Sequence, residues 1–308
     1  MKKIVSLVVA ALVMCSCADS FLSEEPVGEF MPEQVESEEN IEGIVIGAYA
    51  VLDGYYASDA INSGCSNWQF GDVVSDDAYK GGGGTGDQNQ IHLMEIFNAN
   101  PTGIDFEARW AALYEGVKRC NQAIRLLSNS TVKNKEQRLA EMRFLRGHYY
   151  FNLKVIYNLI PWIDETVVDP NEYHTKSNME FTSDQLWEKI LGEFSAAYQV
   201  LPESQSDYGR PTKMAAKAYM AKVYLYQSKW KECLSACDEV IQSGKYTLYP
   251  DFREVFLPEN DNNSEIIFAV QLSINDGASS NQNGSYGDCY RREVLIQLMD
   301  SCGRLRIW

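Results

Sequence analysis

Residues 213–243 read KMAAKAYMAKVYLYQSKWKECLSACDEVIQS, and this stretch decides the fold class. Its apolar residues recur about every 3.6 positions, which is the period of a helix with one buried face. The pattern predicts one helix from Lys213 to Gln227 and a second from Trp230 to Ser243. Because very few residues separate them, the two helices must form a hairpin. The sequence therefore predicts an all-α fold built from helix pairs.

The spacing within this hairpin is similar to that of a tetratricopeptide repeat. Such a repeat places small and aromatic residues at fixed positions, since small side chains let antiparallel helices approach closely. Five residues fall at those positions: Ala221, Tyr224, Cys233, Cys237 and Val240. Cysteines stand where alanine and an aromatic residue are usual. They are four residues apart, and we interpret them as small residues buried in the helix seam rather than as metal ligands.

Four more helices are predicted upstream of this hairpin. They cover residues 38–55, 105–127, 135–157 and 182–201, and Pro161 and Pro202 follow the last two. In the helix at 135–157 we expect four residues to share a face: Phe144, His148, Phe151 and Val155. We expect about three tetratricopeptide-like helix pairs with long loop insertions and little β-structure. The loop at 56–103 is the longest insertion. A strand is predicted at 265–272, where apolar and polar residues alternate and β-branched residues are frequent.

The amino terminus has the pattern of a lipoprotein signal peptide. Lys2 and Lys3 precede an apolar run of eleven residues, Ile4 to Met14, which is too short to span a bilayer. We predict a signal peptide over residues 1–16, lipidation of Cys17, and a polar tether over 17–37. Cys17 is preferred to Cys15 because the small Ser16 precedes it. The alternative is ordinary signal cleavage with an unmodified cysteine nearby.

Charge and cysteine content exclude several classes of protein. The formal net charge is −16, which disfavours nucleic acid as a ligand because phosphate backbones require clustered Lys and Arg. The cysteines and histidines show no spacing typical of zinc ligands. We find no catalytic motif and expect neither enzymatic activity nor a cofactor. Gly81 to Gly86 lack the GK[ST] ending of a phosphate loop, so we interpret them as a flexible hinge.

Several segments together resemble the SusD/RagB family of outer-membrane nutrient-binding lipoproteins. The strongest is residues 140–153, AEMRFLRGHYYFNL, which resembles the family's AEARFLRAYYYFxL helix. A second runs from Gly209 to Tyr226 and a third from Ser243 to Phe268. Weaker support comes from a few single positions: Trp110, Tyr114, Asn121 and Ser75 to Asp77.

This resemblance implies a domain arrangement and a function. Residues 38–245 would form the amino-terminal tetratricopeptide-like domain, and 246–308 the start of an incomplete carboxy-terminal region. A member of this family would be anchored by lipid at the outer-membrane surface, capture an oligosaccharide or polysaccharide, and deliver it to a TonB-dependent SusC-like transporter. The alternatives are a lipid-anchored scaffold without sugar binding and a non-functional truncated product.

The long loop contains the candidate glycan-binding residues. Sugars stack their apolar C–H faces on aromatic rings, and their hydroxyls pair with Asn, Asp and Gln. The candidates are Trp68, Phe70, Asp72, Tyr79 and Asn98, with Tyr286 and Tyr290 as a second cluster. The alternative for Trp68 and Phe70 is that their rings pin the loop to the helices.

Overall fold

The structure, a computed structural model, describes residues 37–53, 68–75 and 77–271. Several predictions lie outside these residues. They concern the signal peptide, the lipidation of Cys17, the tether before Ser37, and the ligand candidates Tyr286 and Tyr290. The side chain of Trp68 also lies outside the described part, although its backbone does not.

The predicted all-α class is confirmed. The α-helices of the described residues are α1 (Glu38–Ala50), α2 (Asn89–Glu95), α3 (Ile104–Asn129), α4 (Lys135–Tyr157), α5 (Pro170–Tyr173), α6 (Ser183–Val200), α7 (Lys213–Tyr226) and α8 (Trp230–Gln242). Short 3₁₀ turns cover Val51–Asp53, Glu254–Phe256 and Pro258–Asn260, and a π-helical turn covers Trp68–Asp72.

Helices pack mainly against their neighbours in sequence, as in a helical-repeat protein. The contacts run from α3 to α4, α4 to α6, α6 to α7 and α7 to α8, while α1 packs on α3. Two glycines permit the closest approaches. A Cβ atom on Gly116 would lie 2.6 Å from the Tyr149 ring, and one on Gly147 would lie 2.9 Å from the Phe194 ring. The α3–α4 and α4–α6 contacts therefore depend on the absence of side chains there.

An aromatic cluster forms the centre of the core. The Phe144 ring lies 5.1 Å from the Tyr219 ring and 5.1 Å from the Phe268 ring, edge to face in both cases. Phe194 stacks on Tyr219 at 4.7 Å between ring centroids. Such pairs add about 0.5–1.5 kcal/mol each beyond the burial of apolar area. This cluster joins α4, α6, α7 and the segment after α8.

A buried arginine connects three of the packed elements. Arg146 of α4 donates from Nε and Nη2 to the two carboxylate oxygens of Glu193 on α6, at 3.1 and 2.8 Å. Its Nη1 donates to Asn121 Oδ1 on α3 at 2.8 Å and to the carboxylate of Glu165. Because the charge is paired on every side, Arg146 can lie almost completely buried.

The structure corrects the prediction that residues 56–103 form one long loop. Within the described part of that range, the π-helical turn at Trp68–Asp72 and helix α2 are both ordered. Helix α2 has only seven residues, so it is too short to give a clear helical period in the sequence.

The strand predicted at 265–272 is also wrong for the residues described, 265–271. Only Ala269 forms an isolated bridge. Phe268, Ala269 and Val270 are buried consecutively, whereas a half-buried strand would alternate. The segment runs into the aromatic cluster through Phe268 and so buries both of its sides.

One position on the predicted face of α4 is exposed. Phe144, His148 and Phe151 are buried as expected, but Val155 is 40% exposed. Lys154 takes the buried place in the last turn, where its ammonium donates to Ser183 Oγ at 2.8 Å and to Asn158 Oδ1 at 2.5 Å. In this turn, hydrogen bonds to the start of α6, rather than the apolar period of the sequence, determine which side chain is buried.

The repeat-like hairpin of α7 and α8 is present with one correction. Ala221 and Val240 are buried in the hairpin, but Cys233 and Cys237 are only half-buried. Ala236 takes the buried position on the same helix instead. Among the helices described, none is both long enough and apolar enough to cross a membrane.

Candidate functional site

Helix α2 ends in a turn that exposes a strained aromatic residue. The Asn98 N–H donates to the Leu93 carbonyl at 2.8 Å, and the Phe97 N–H donates to the Met94 carbonyl at 3.1 Å. These two bonds define a Schellman motif, whose C′ position is left-handed and usually glycine. Phe97 occupies that position with φ +55°, and its side chain is 75% exposed. A bulky residue with this backbone costs about 1–3 kcal/mol, and such outliers concentrate at functional sites.

A second exposed ring is attached to the same helix end. The Lys80 backbone N–H donates to Glu95 Oε1 at 3.0 Å, which ties the chain after Tyr79 to the last turn of α2. Tyr79 is 82% exposed. Asn98, also exposed, follows Phe97 directly. We call Tyr79, Phe97 and Asn98 the loop face.

The glycine run beside the loop face forms a closed turn rather than the flexible hinge expected from its composition. The Lys80 ammonium donates to the Gly84 carbonyl at 3.0 Å and also to the Asp87 carbonyl. The Gly83 N–H donates to Asp87 Oδ2 at 2.8 Å. Gly82 has φ +74°, and a Cβ there would lie 2.2 Å from the Asp87 carboxylate. The turn therefore requires glycine at position 82. Its backbone carbonyls accept the hydrogen bonds of the Lys80 ammonium, so this charge is already paired with the turn.

Phe70 has the contacts of an anchor. Its ring lies edge to face with Phe106 of α3 at 5.5 Å, and the Arg109 guanidinium lies 5.8 Å from its centroid. These contacts hold the π-helical turn against α3. They favour the alternative in which Phe70 pins the segment to the helices. Gln69, the neighbouring amide, is buried and so lies away from the exposed surface.

Acidic groups lie near the end of the π-helical turn. Asp72 is exposed, and the pKa of its carboxyl is raised by partial desolvation and, second, by the like charge of Asp77. Ser75 Oγ donates to Asp77 Oδ2 at 3.2 Å and to the Asp72 carbonyl at 3.1 Å. The local field here is negative, which disfavours an anionic ligand.

The structure gives no arrangement of side chains typical of a catalytic or metal site within its described residues. His148 is buried, its Nδ1 lies 2.6 Å from the Tyr219 hydroxyl, and burial lowers its pKa to about 3. His92 pairs with Glu95 at 3.2 Å. No group of three or more possible metal ligands occurs in the described ranges.

Of the residues predicted from the sequence, Tyr79 and Asn98 belong to the loop face, and Phe97 was not among the candidates. Tyr79 and Asn98 lie beside the same helix end, whereas Phe70 contacts α3 and Asp72 belongs to the acidic edge. The available signal for Phe97 was Ile96-Phe97 directly before Asn98-Ala99-Asn100-Pro101, because two large apolar residues rarely open a polar turn.

Comparison with known proteins identifies the family. A SusD-like family described as "Starch-binding associating with outer membrane" matches residues 20–225. The chain belongs to the SusD-like family.

Curated SusD-like relatives match over most of this chain. The SusD-like protein P25 of Formosa agariphila is 23% identical over 292 residues, covering 88% of this chain and 52% of the relative. A SusD-like protein of Bacteroides ovatus is 24% identical over 294 residues, covering 87% and 49%. This SusD-like chain thus spans about half the length of the curated relatives that it matches.

Solved structures of SusD-like proteins share the fold. Surface glycan-binding protein A from Bacteroides thetaiotaomicron, in complex with laminarihexaose, superposes with a TM-score of 0.66 and 28% identity, covering 77% of this chain and 50% of that one. A laminarin-binding SusD-like protein gives a TM-score of 0.66 and 26% identity, covering 76% and 51%. The helical architecture described above is therefore the SusD-like one.

Proposed function

We propose that this SusD-like chain binds an uncharged oligosaccharide or polysaccharide through the loop face and does so without breaking a bond. The proposal includes a lipid anchor at Cys17, a place at the outer-membrane surface, and delivery of the glycan to a TonB-dependent SusC-like transporter. The anchor and the transporter rest on the lipoprotein pattern and on the family resemblance. The glycan rests on the loop face and on relatives described as glycan-binding or laminarin-binding.

The observation that carries the proposal is the pair of exposed rings at the end of α2. Tyr79 and Phe97 are 82% and 75% exposed, and Phe97 keeps its place against an unfavourable backbone conformation. The Schellman turn explains the left-handed backbone of Phe97 but not the presence of a large ring where glycine is usual, and packing does not explain why both rings are exposed. A ligand that stacks on the rings accounts for both features.

The expected binding strength suits capture followed by release. Stacking that removes about 60 Å² of sugar surface from water contributes roughly 1.5 kcal/mol per ring at about 25 cal/mol/Å². Two rings and a few hydrogen bonds, including those of Asn98, then give dissociation constants of about micromolar to millimolar order. A carrier that must pass its ligand onward needs this weak range.

Catalysis is not part of the proposal. Glycosidases place two carboxyl groups on opposite sides of the scissile bond, about 5–10 Å apart. Asp72 and Asp77 instead lie beside one turn, where Asp77 raises the pKa of Asp72 by charge repulsion after partial desolvation. They form a negative edge that favours neutral sugars.

A scaffold function is the second candidate, and one observation favours it. Helix α8 exposes three large apolar side chains at helical spacing, namely Trp230, Leu234 and Ile241. Such a stripe is typical of a surface that another helix covers. A scaffold of this kind has no use for the strained ring of Phe97.

The two functions are separated by affinity electrophoresis of the purified protein in gels that contain neutral polysaccharides, with laminarin among them. We expect retardation of the wild type by at least one polysaccharide and its loss in Tyr79→Ala. The matched control is Tyr208→Ala, which removes a similarly exposed tyrosine between α6 and α7 and should leave retardation unchanged. Equal retardation of all three proteins would remove the loop face from the binding site. A folded protein that no gel retards would favour the scaffold.

A further inference from the structure

A cleft between α3 and the segment that follows α4 is separate from the residues of the loop face. Its volume is about 350 Å³, which falls within the range of small-molecule sites. Trp110 and Tyr114 of α3 line one side, and Pro161 and Ile163 line the other. Tyr173 and His174, at the end of α5, complete the lining.

The two sides of the cleft are fixed to each other by hydrogen bonds. The Tyr114 hydroxyl donates to the Pro161 carbonyl at 2.7 Å, and Asn121 Nδ2 donates to the Ile163 carbonyl at 2.9 Å. Trp110 packs at 4.8 Å from Tyr114 and at 4.9 Å from Tyr157. The cleft is therefore preorganised, which reduces the entropy that a ligand must overcome.

Polar groups at the cleft retain hydrogen-bonding capacity. Across residues 37–53, 68–75 and 77–271, we find no hydrogen-bond partner for the Trp110 indole N–H, the Tyr173 hydroxyl or the His174 ring. Glu115 and Lys118 also line the cleft, and the Glu115 carboxylate pairs with Arg119 Nε at 2.9 Å and lies 3.8 Å from Lys118 Nζ. Because that carboxylate is already paired and Lys118 is mostly in solvent, neither offers a ligand in the cleft an unpaired buried charge, which favours a neutral ligand. Aromatic surface beside unused donors suits a ligand with apolar faces and hydroxyl edges.

We propose that this cleft is a second carbohydrate site that takes a single neutral hexose unit. The identity of the ligand rests on the proposed function, but the cleft itself does not involve the loop face. Two sites on one chain would engage separate units of a long polysaccharide. Binding the second unit then becomes intramolecular, which raises the apparent affinity without strengthening either site.

The test uses two variants of the cleft and one of the loop face in the full chain. Tyr173→Ala removes a ring and a hydroxyl from the cleft. Ala111→Phe fills it from a half-buried position on α3 that also lines it. Tyr79→Ala removes a ring of the loop face, and Tyr208→Ala serves as the matched control. Circular dichroism checks that each variant is folded.

The readouts are the stoichiometry for a short neutral oligosaccharide and the affinity for the long polysaccharide. We expect two oligosaccharides per wild-type chain and one per chain in either cleft variant. Affinity for the polysaccharide should fall at least about tenfold in the cleft variants, because the bivalent contribution is lost. The Tyr208→Ala control should match the wild type.

The outcomes separate this proposal from the proposed function. If both cleft variants keep the wild-type stoichiometry and affinity, the cleft is not a carbohydrate site. If they lose binding while Tyr79→Ala keeps it, the cleft stands and the loop face is overturned. A wild-type protein that binds no carbohydrate overturns both proposals.

Discussion

Phe97 shows how a single residue can be unfavourable for folding and useful for binding. It occupies the C′ position of α2, where glycine has no steric penalty, and its side chain is mostly in solvent. Burial of the ring cannot compensate for the backbone strain. In the free protein the rest of the fold, including the two Schellman hydrogen bonds, offsets this strain. We propose that a sugar face is what the exposed ring contacts when a ligand binds.

Replacing Phe97 should therefore separate stability from binding. Phe97→Gly relieves the left-handed strain, so we expect the free energy of unfolding to rise by about 1 kcal/mol. Retardation by the polysaccharide should fall at the same time. Phe97→Ala is the control, because it removes the ring but keeps a Cβ at positive φ. It should lose binding without becoming more stable, as measured by urea denaturation. A Phe97→Gly protein less stable than the wild type would show that the ring supports the fold.

His148 should make stability depend on pH. Burial, and then the positive charges of Lys222 and Arg109, lowers its pKa from 6.5 to about 3, so the folded state keeps it neutral. The unfolded chain binds a proton below about pH 6.5, and the folded chain does not. Stability from this group is therefore fully present above pH 6.5 and is lost as the pH falls towards 3.

The His148→Gln variant lacks this contribution. Between pH 7 and pH 5 the wild type should lose about 2 kcal/mol more of its free energy of unfolding than the variant does. Denaturation at several pH values measures the difference, because all other titrating groups are common to both proteins. Parallel stability curves for the two proteins would contradict a buried neutral imidazole.

Among the elements, the contact between α3 and α4 depends most clearly on one glycine. A Cβ on Gly116 would meet three atoms of the Tyr149 ring at 2.6 Å. That ring cannot easily move, since it is buried and its hydroxyl donates to the Ala48 carbonyl of α1 at 2.8 Å. Tyr149 therefore fixes three helices together across the Gly116 position.

Gly116→Ala should lower the free energy of unfolding by about 1–3 kcal/mol through overpacking. Gly192→Ala is the matched control on α6, because nothing lies within 4 Å of its added Cβ. That variant should gain about 0.5–1 kcal/mol from better helix propensity. Chemical denaturation compares the two. Equal effects from both substitutions would show that the helices can separate at Gly116 without cost.

An element can be predicted from the sequence when the residues that determine it are neighbours in the chain. Helix α4 was predicted with its observed bounds, because its apolar period is long and uninterrupted. The start of α6 carries a capping box, in which the Thr182 N–H donates to Gln185 Oε1 at 2.9 Å. Helix α2 was missed because its seven residues are too few to show a clear helical period. The segment at 265–271 was predicted wrongly because its burial in the aromatic cluster determines its conformation. Tyr79 could be predicted as a ligand candidate from residue type. The exposure of Phe97 follows from the left-handed turn at the end of α2, for which the apolar pair Ile96-Phe97 before a polar turn is only an indirect signal.

For the whole molecule, the balance of charge determines which glycans can approach. The net charge is −16, Asp72 and Asp77 lie near the π-helical turn, and Lys80 is occupied by backbone carbonyls. A polyuronate or sulfated polysaccharide would meet repulsion at the loop face. We expect retardation by a neutral polysaccharide and none by pectate at low salt.

Salt provides the check on this charge argument. Binding to a neutral glycan should change little between about 0.05 and 0.5 M NaCl, since no ion pair is formed or screened. Affinity electrophoresis at both concentrations measures it. Strong retardation by pectate that salt abolishes would contradict the assignment of a neutral ligand.

The central claim is that the loop face binds a glycan. The most direct measurement is the retardation of the double variant Tyr79→Ala, Phe97→Ala beside the wild type in gels of the polysaccharide that retards the wild type most. We predict that the double variant migrates as it does in a gel without polysaccharide, while its circular dichroism spectrum is unchanged. A folded double variant retarded as strongly as the wild type would contradict the claim.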